Sequence, residues 1–327
     1  MNLKTLLASG TVLREPVGMG NGYWAGCPGF WHDTLDGVDY LTYRIRRPRG
    51  VQPERGGEVR VARSTDGRTF EDVWRLTKDQ VNSASLERTH LTRGLDGQYR
   101  YFASHVAPED GRWCVTSAKA VSATAINAAN MKRLFTAQDF KLEGIKDPWV
   151  FRAGDAYFML LSIALPTART SSASHGTLDI FNTGECVSAT GMAVSTDLDH
   201  WDYLGTAFEP GATGWDRYCR RINSVLPYNG RFYGFYDGSA SHQENYEEKC
   251  GLAVSDDLKS WRSLTPDGPL VTSPFASGSL RYVDAHLPSP IPGKVRWFYE
   301  FAREDGAHDL RATDVDLGAV FAALPPG

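Results

Sequence analysis

The sequence predicts an all-β fold, a five-bladed β-propeller of four-stranded antiparallel blades around a central channel, and three observations carry that prediction. The first is a repeat. Five times a polar, glycine-containing turn comes before an aromatic-rich run: Tyr40-Leu41-Thr42-Tyr43, Tyr99-Arg100-Tyr101-Phe102, Tyr157-Phe158-Met159-Leu160, Phe232-Tyr233-Gly234-Phe235-Tyr236 and Trp297-Phe298-Tyr299-Glu300-Phe301. The turn glycines Gly37, Gly97, Gly154, Gly230 and Gly293 lie about 60, 57, 76 and 63 residues apart, the self-similarity of a blade array. The second is a Ser-x-Asp-x-x-x-aromatic signature, at Ser64 to Phe70, Ser195 to Trp201 and Ser255 to Trp261. Ser and Asp bond nearby backbone groups in tight turns and the aromatic packs between sheets, so these residues read as structural. The third is bulk: 327 residues, 42% of them hydrophobic and 23% charged, can bury a large core. No Pro/Ser/Gly linker interrupts the repeat, which makes residues 1–327 one domain.

In chain order, Met1 to Gly10 holds one lysine and a short apolar patch, Leu6-Leu7-Ala8, too short for a signal-peptide core. Thr11-Val12-Leu13 is expected to lend a strand to the last blade and close the ring. Blades start near residues 24, 87, 145, 220 and 281. Glu58–Ala62, Cys114–Thr116, Gly191–Val194 and Gly251–Val254 read as third strands. The alanine-rich stretch from Ala118 to Met131 departs from the rule and is read as including a helical turn. Pro166 to Cys186, rich in Ser, Thr, Ala and Gly, reads as a functional lid or rim. Leu310 to Val315 is expected to be a third or fourth strand.

A net charge of -4 and a pI near 6.1 argue against a nucleic-acid partner, which needs a concentrated basic surface. The only basic run, Arg44-Ile45-Arg46-Arg47-Pro48-Arg49, reads as a solvated loop. No apolar stretch is long enough to span a membrane. The five cysteines, Cys27, Cys114, Cys186, Cys219 and Cys250, are odd in number and include no CxxC pair, so neither a disulfide framework nor a zinc cluster is expected. A cytoplasmic, reduced location is the simplest expectation.

Radial blades leave a channel faced by the starts of their first strands. Counting back from the aromatic runs places Gly26-Cys27-Pro28, Glu87-Arg88-Thr89-His90, Lys146-Asp147-Pro148, Arg221-Ile222-Asn223 and Asp284-Ala285-His286 there. A one-residue slip would exchange pocket for core. The candidate acid and base groups are Glu87, Asp147 and Asp284, because carboxyls in different environments can divide the two roles. Glu87 reads equally as a rim partner of Arg88, and Asp284 as a partner of Arg281. Arg88, Arg221 and Arg281, with His286 and Lys146, either converge on an anionic sugar or phosphate or neutralise neighbouring carboxylates. Trp24, Trp149 and Trp215 near blade starts either stack on sugar rings or pack the core. Cys27 is either a nucleophile or a buried apolar residue. No HExxH, GxSxG, P-loop or dinucleotide fingerprint is present.

Gly144-Ile145-Lys146-Asp147-Pro148-Trp149-Val150-Phe151, followed by Tyr157 and Ser195-x-Asp197-x-x-x-Trp201, resembles the five-bladed glycosidase superfamily of arabinanases, xylosidases, fructosidases and β-mannoside phosphorylases. The resemblance covers most of the chain, although the local motif is short. It implies an active-site role for Asp147, since an Asp-Pro step at a blade's inner end supplies a catalytic carboxylate there. Two departures stand out. Cys27 occupies the place of the first-blade Asp, and Arg221-Ile222 that of the fourth-blade general-acid Glu. Glu185-Cys186 echoes a fructosidase pair but lies one strand group too early. The mannoside-phosphorylase branch also lacks a full set of three obvious carboxylates.

The expectation is a glycoside hydrolase, exo-acting on a small glycoside or oligosaccharide, with inversion of configuration and no required cofactor. The resemblance leaves room for a structural calcium in the channel, although no dense oxygen-ligand loop supports one. The alternatives are a glycoside phosphorylase using inorganic phosphate and a non-catalytic carbohydrate-binding propeller.

Overall fold

The computed structural model describes residues 2–287 and 289–323. The chain opens with helix α1 (Leu3–Ala8), capped by the Asn2 side chain on the Thr5 amide, and strand β1 (Thr11–Arg14). Antiparallel groups follow. The first is β2 (Trp24–Asp33), β3 (Val38–Arg47), β4 (Arg55–Ser64) and β5 (Glu71–Thr77). The second is β6 (Leu86–Arg93), β7 (Tyr99–Val106), β8 (Trp113–Ala120) and β9 (Lys132–Phe135). The third is β10 (Gly144–Ala153), β11 (Ala156–Pro166), β12 (Cys186–Ser195) and β13 (Asp202–Phe208). The fourth is β14 (Cys219–Tyr228), β15 (Arg231–Ser239), β16 (Lys249–Ser255) and β17 (Arg262–Ser263). The fifth is β18 (Leu280–His286), β19 (Lys294–Ala302) and β20 (His308–Asp316), with β1 paired to β20, Thr11 opposite Ala312. Helix α2 (Leu317–Ala322) follows.

The five repeat glycines sit in the hairpins between the first and second strands, with φ of 65° at Gly37, 76° at Gly97, 62° at Gly154, 74° at Gly230 and 77° at Gly293. Such left-handed backbone is costly for residues with a Cβ, which is why the repeat is legible as glycine. The Ser-x-Asp signature forms the same turn three times. Asp66 accepts from the amides of Arg68 and Thr69, Asp197 from those of Asp199 and His200, and Asp257 from those of Lys259 and Ser260.

The apolar core is divided among the junctions of neighbouring groups. Val59, Leu76, Leu91 and Tyr101 join the first group to the second, and Phe102, Phe135, Ile145 and Met159 join the second to the third. Leu160, Met192, Ile222 and Tyr236 join the third to the fourth, and Phe235, Leu252, Trp297 and Tyr299 the fourth to the fifth, where Leu3 and Leu7 of α1 also pack. Phe30, Leu41, Phe298 and Leu310 join the fifth back to the first.

One segment differs from expectation. The run from Arg44 to Arg47 lies in strand β3, with Arg44 and Arg46 buried and Ile45 on the opposite face in the core, because period-two alternation sorts it. The stretch after Ala120 contains one short 3-10 turn, Ala128–Asn130, before β9. The segment from Pro166 to Cys186 carries two 3-10 turns, Ser172–Thr177 and Ile180–Asn182. Among the described residues no helix is long and apolar enough to cross a membrane.

Candidate active site

Each first strand is interrupted by a bulge. The breaks fall between Gly26 and Gly29, Leu86 and Thr89, Lys146 and Trp149, Ile222 and Ser224, and Arg281 and Asp284. A bulge leaves a residue unpaired and re-aims its side chain. Cys27, Asp147 and Tyr282 occupy such positions with φ of 53°, 57° and 52°, left-handed values that bulky residues rarely adopt and that cluster at functional sites. Four bulges fall on the expected inner positions. In the fifth group the position belongs to Tyr282 and Val283, two residues before Asp284, because the connection from His286 to Lys294 is longer than the corresponding hairpin from Ala153 to Ala156.

Along β2 and β18 the side chains run from a mouth side, through the bulge, to a far side. On the mouth side lies a buried charge network. Glu87 accepts from Arg44 through Oε1, and the Lys146 ammonium stands 3.2 Å from its Oε2. Lys146 is also 3.8 Å from Asp147, whose amide donates to the Ser104 hydroxyl at 2.8 Å. Arg221 pairs with Glu248, and Arg281 bridges Glu248 at 2.8 Å and Glu300 at 2.7 Å. The Tyr282 hydroxyl is 3.2 Å from Glu87 and 3.5 Å from Asp147, while its backbone amide donates to Asp237 Oδ1 at 2.9 Å.

The electrostatics separate these carboxyls. Burial pushes the Glu87 value up, but Lys146, Arg44 and Arg281 overcome it and hold the group ionised well below the usual range. Burial likewise opposes ionisation of Glu248, which Arg221 and Arg281 bring down to about 2. Asp237 goes the other way: burial and the neighbouring Glu248 charge outweigh Arg221 and Arg281 and raise it to about 7. Burial also raises the Cys27 thiol well above its ordinary value, which leaves it neutral and a poor nucleophile.

The far side holds a different set. Asp284 accepts from the Phe30 amide at 2.7 Å and from Trp149 Nε1 at 2.9 Å, lies 2.5 Å from His286 Nε2, and stands 3.4 Å from Arg88. Arg88 donates to the Pro28 and Asn223 carbonyls, both at 2.7 Å. Arg88 and Asp284 thus clamp first strands together, Trp149 is part of that clamp, and His286 supports it. Asp284 is not with Glu87 and Asp147, and its partner is Arg88 and not Arg281. Of the three expected substrate-binding arginines, Arg221 and Arg281 are neutralised by glutamates and Arg88 by Asp284 and carbonyls. Trp24 lies at the mouth, but His308 stacks on its ring at 4.8 Å and the Arg46 guanidinium at 4.1 Å, which occupies it. Trp215 packs on Tyr236 and donates to the Thr265 carbonyl, a structural role.

Several buried polar atoms of the mouth-side network have no hydrogen-bond partner among the described residues: Asp147 Oδ1, Asp237 Oδ2, Arg44 Nε and Nη2, and Arg221 Nε. Buried polar atoms are costly unless paired, so this set is suited to a hydroxyl-bearing ligand or water. Beside it opens a hollow of about 430 Å³ lined by Trp24, Arg46, His242, Asn245 and Tyr246 among others. The Tyr246 hydroxyl donates to Asp179 of the 166–186 segment, which also meets Arg55 and Trp113, so that segment flanks the mouth. A larger hollow of about 770 Å³ lies near Lys119 and Lys132, away from the network.

Arg44, Asp237 and Glu300 sit on second strands opposite Gly26, Arg221 and Arg281, outside the first-strand positions expected to face the channel. A signal was present: each directly follows an aromatic residue of the repeat, in Tyr43-Arg44, Tyr236-Asp237 and Tyr299-Glu300. Glu248, at the entry to β16, had none. A calcium ion needs six to eight oxygens. Here the carboxylates Glu87, Glu248 and Glu300 are already paired with cations, and among the described residues no group of three or more His, Cys, Asp or Glu is arranged to hold a metal.

No protein-family model matches the chain, and no curated protein does. Solved structures do. A thermostable family-43 glycoside hydrolase superposes with a TM-score of 0.61 at 13% identity, covering 92% of both chains. The β-1,2-mannobiose phosphorylase of Listeria innocua gives 0.59 at 14%, covering 95% of each. The α-L-arabinofuranosidase of Lactobacillus brevis gives 0.59 at 15%, covering 88% of this chain and 90% of that one. At these identities the likeness is one of architecture: the chain has the all-β fold that these enzymes share.

Proposed function

We propose that the protein is a glycoside hydrolase built as a closed five-bladed β-propeller, with its active site on the mouth side of the axis. The junction of the fifth group with the first and the pairing of β1 with β20 support closure. The observation that carries the activity is a pair of buried carboxyls, Asp147 and Asp237, each with one oxygen that has no hydrogen-bond partner among the described residues, around the strained Tyr282.

In this reading Asp237, kept neutral up to about pH 7, is the general acid that protonates the departing glycosidic oxygen. Asp147 is the base that takes a proton from water through Oδ1, while Lys146 and Tyr282 fix its orientation. Glu87 balances Lys146 and Arg44. Tyr282 touches Asp237 through its amide and Asp147 through its hydroxyl, so the two carboxyls meet opposite ends of one tyrosine. Such a separation leaves room for water and favours inversion. The 166–186 segment and Tyr246 narrow the mouth, which favours exo-action on a small glycoside. Asp147→Asn is expected to lower turnover by about 10²–10⁴-fold with the fold intact. Retention of more than about a tenth of wild-type activity would remove Asp147 from the mechanism.

A second reading is phosphorolysis, favoured by the free N–H groups of Arg44 and Arg221, which could hold phosphate in place of water. Turnover that requires inorganic phosphate would select it.

A further inference from the structure

Arg46 is 8% exposed and lines the mouth hollow. Among the described residues it has no carboxylate within 4.0 Å, whereas Arg44, Arg88, Arg221 and Arg281 each do. Among the described residues its side chain makes one hydrogen bond, from Nη1 to the Gly22 carbonyl at 2.9 Å. The guanidinium lies 4.1 Å from the centre of the Trp24 ring and 5.3 Å from that of Tyr246, so aromatic faces hold the planar fork in place. Burial and the neighbouring Arg44 lower its value to about 10, the mark of a cation without a compensating anion. Buried arginine charges are ordinarily paired.

We propose that Arg46 makes this hollow a carboxylate-recognising subsite, so that the sugar it takes is an acidic one, a uronic acid residue. The proposal deepens the glycosidase reading and rests on it for the word sugar. One guanidinium fork matches the two oxygens of one carboxylate, and because phosphate oxygens fit the same fork, phosphate is an arm of the test. The amides of Asn21, Asn182 and Gln243 along the same hollow suit ring hydroxyls. Glu247, the acidic residue of the lining, is tied to His308 Nε2 at 3.1 Å and does not neutralise Arg46. Arg49 at the rim donates to the Thr177 carbonyl.

The test is calorimetric binding of glucuronic and galacturonic acids, their neutral parent hexoses and inorganic phosphate to the full chain. These monosaccharides have no glycosidic bond to cleave, so the outcome is independent of whether the protein is a hydrolase. A uronic acid is expected to bind at least about tenfold tighter than its neutral parent, the gain typical of a charge-assisted pair. Arg46→Gln should abolish that preference, and Arg46→Lys should keep part of it. In the wild type, added salt should shrink the preference, a readout that needs no variant. Equal binding of acidic and neutral sugars by the wild type would overturn the proposal. So would a preference that survives in folded Arg46→Gln, or phosphate that binds tighter than either uronic acid and displaces it.

Discussion

Asp237 and Glu248 differ in charge although both are fully buried, because Glu248 touches Arg221 and Arg281 while Asp237 touches the Tyr282 amide and a carboxylate's field. A general acid with a value near 7 makes turnover fall as pH rises through about 7, and Asp237→Asn should remove that alkaline limb with most of the rate. Stability follows with a definite sign. The folded value of Asp237 lies above the unfolded one, so the unfolded chain sheds its proton first. This group's contribution to stability therefore declines between about pH 4 and pH 7 and is level above that. Asp237→Asn should raise Tm relative to wild type by more at pH 8 than at pH 5, by about 2 °C or more. Thermal melts at the two values check this, and a difference independent of pH would show Asp237 to be ordinarily ionised. At this scale the sequence singled out Asp147 through its Asp-Pro step, which falls at the bulge of β10. It concealed Asp237, because spacing along the chain carries no cross-strand register. It also could not say which arginines were neutralised, since the partners of Arg221 and Arg281 come from β16 and β19.

The elements repeat more faithfully than the residues at the bulges do. Hairpin glycines and Ser-x-Asp turns are local, so their chemistry is legible in short windows, and the third strands fell where the pattern put them. The fifth bulge was displaced because a hairpin of unusual length breaks the count back from the aromatic run. Bulges also impose steric demands on their surroundings. A Cβ on Gly26 would lie 1.9 Å from Glu300 Oε2, so Gly26→Ala must dislodge a carboxylate paired with Arg281. A loss of about 1–3 kcal/mol, together with reduced turnover, is expected in denaturant titrations and rate assays. An unchanged midpoint and rate would mean that the Glu300 network yields freely.

For the molecule as a whole, the order of junctions, with the fifth group meeting the first, explains how residues as distant as Glu87 and Tyr282 touch. The N-terminal strand covers the outer edge of β20, and Leu3 and Leu7 pack against the fourth and fifth groups. Removing residues 2–14 should expose that edge and lower Tm, with self-association visible by size-exclusion chromatography. A truncated chain that stayed monomeric and equally stable would show that the fold does not depend on this segment. The blade-like repeat was readable from composition and spacing, whereas the sorting of charges into mouth-side and far-side layers arises only when five strands meet.

The most direct test of Asp147 and Asp237 as base and acid is the dependence of their variants on the leaving group, measured as kcat/KM on aryl glycosides that range from poor to dinitrophenyl leaving groups. Asp147→Asn should lose about 10²–10⁴-fold across the range, while Asp237→Asn should lose as much on poor leaving groups and far less on dinitrophenyl ones, which depart without a proton. Equal losses for Asp237→Asn throughout, or near wild-type rates for Asp147→Asn, would contradict the assignment.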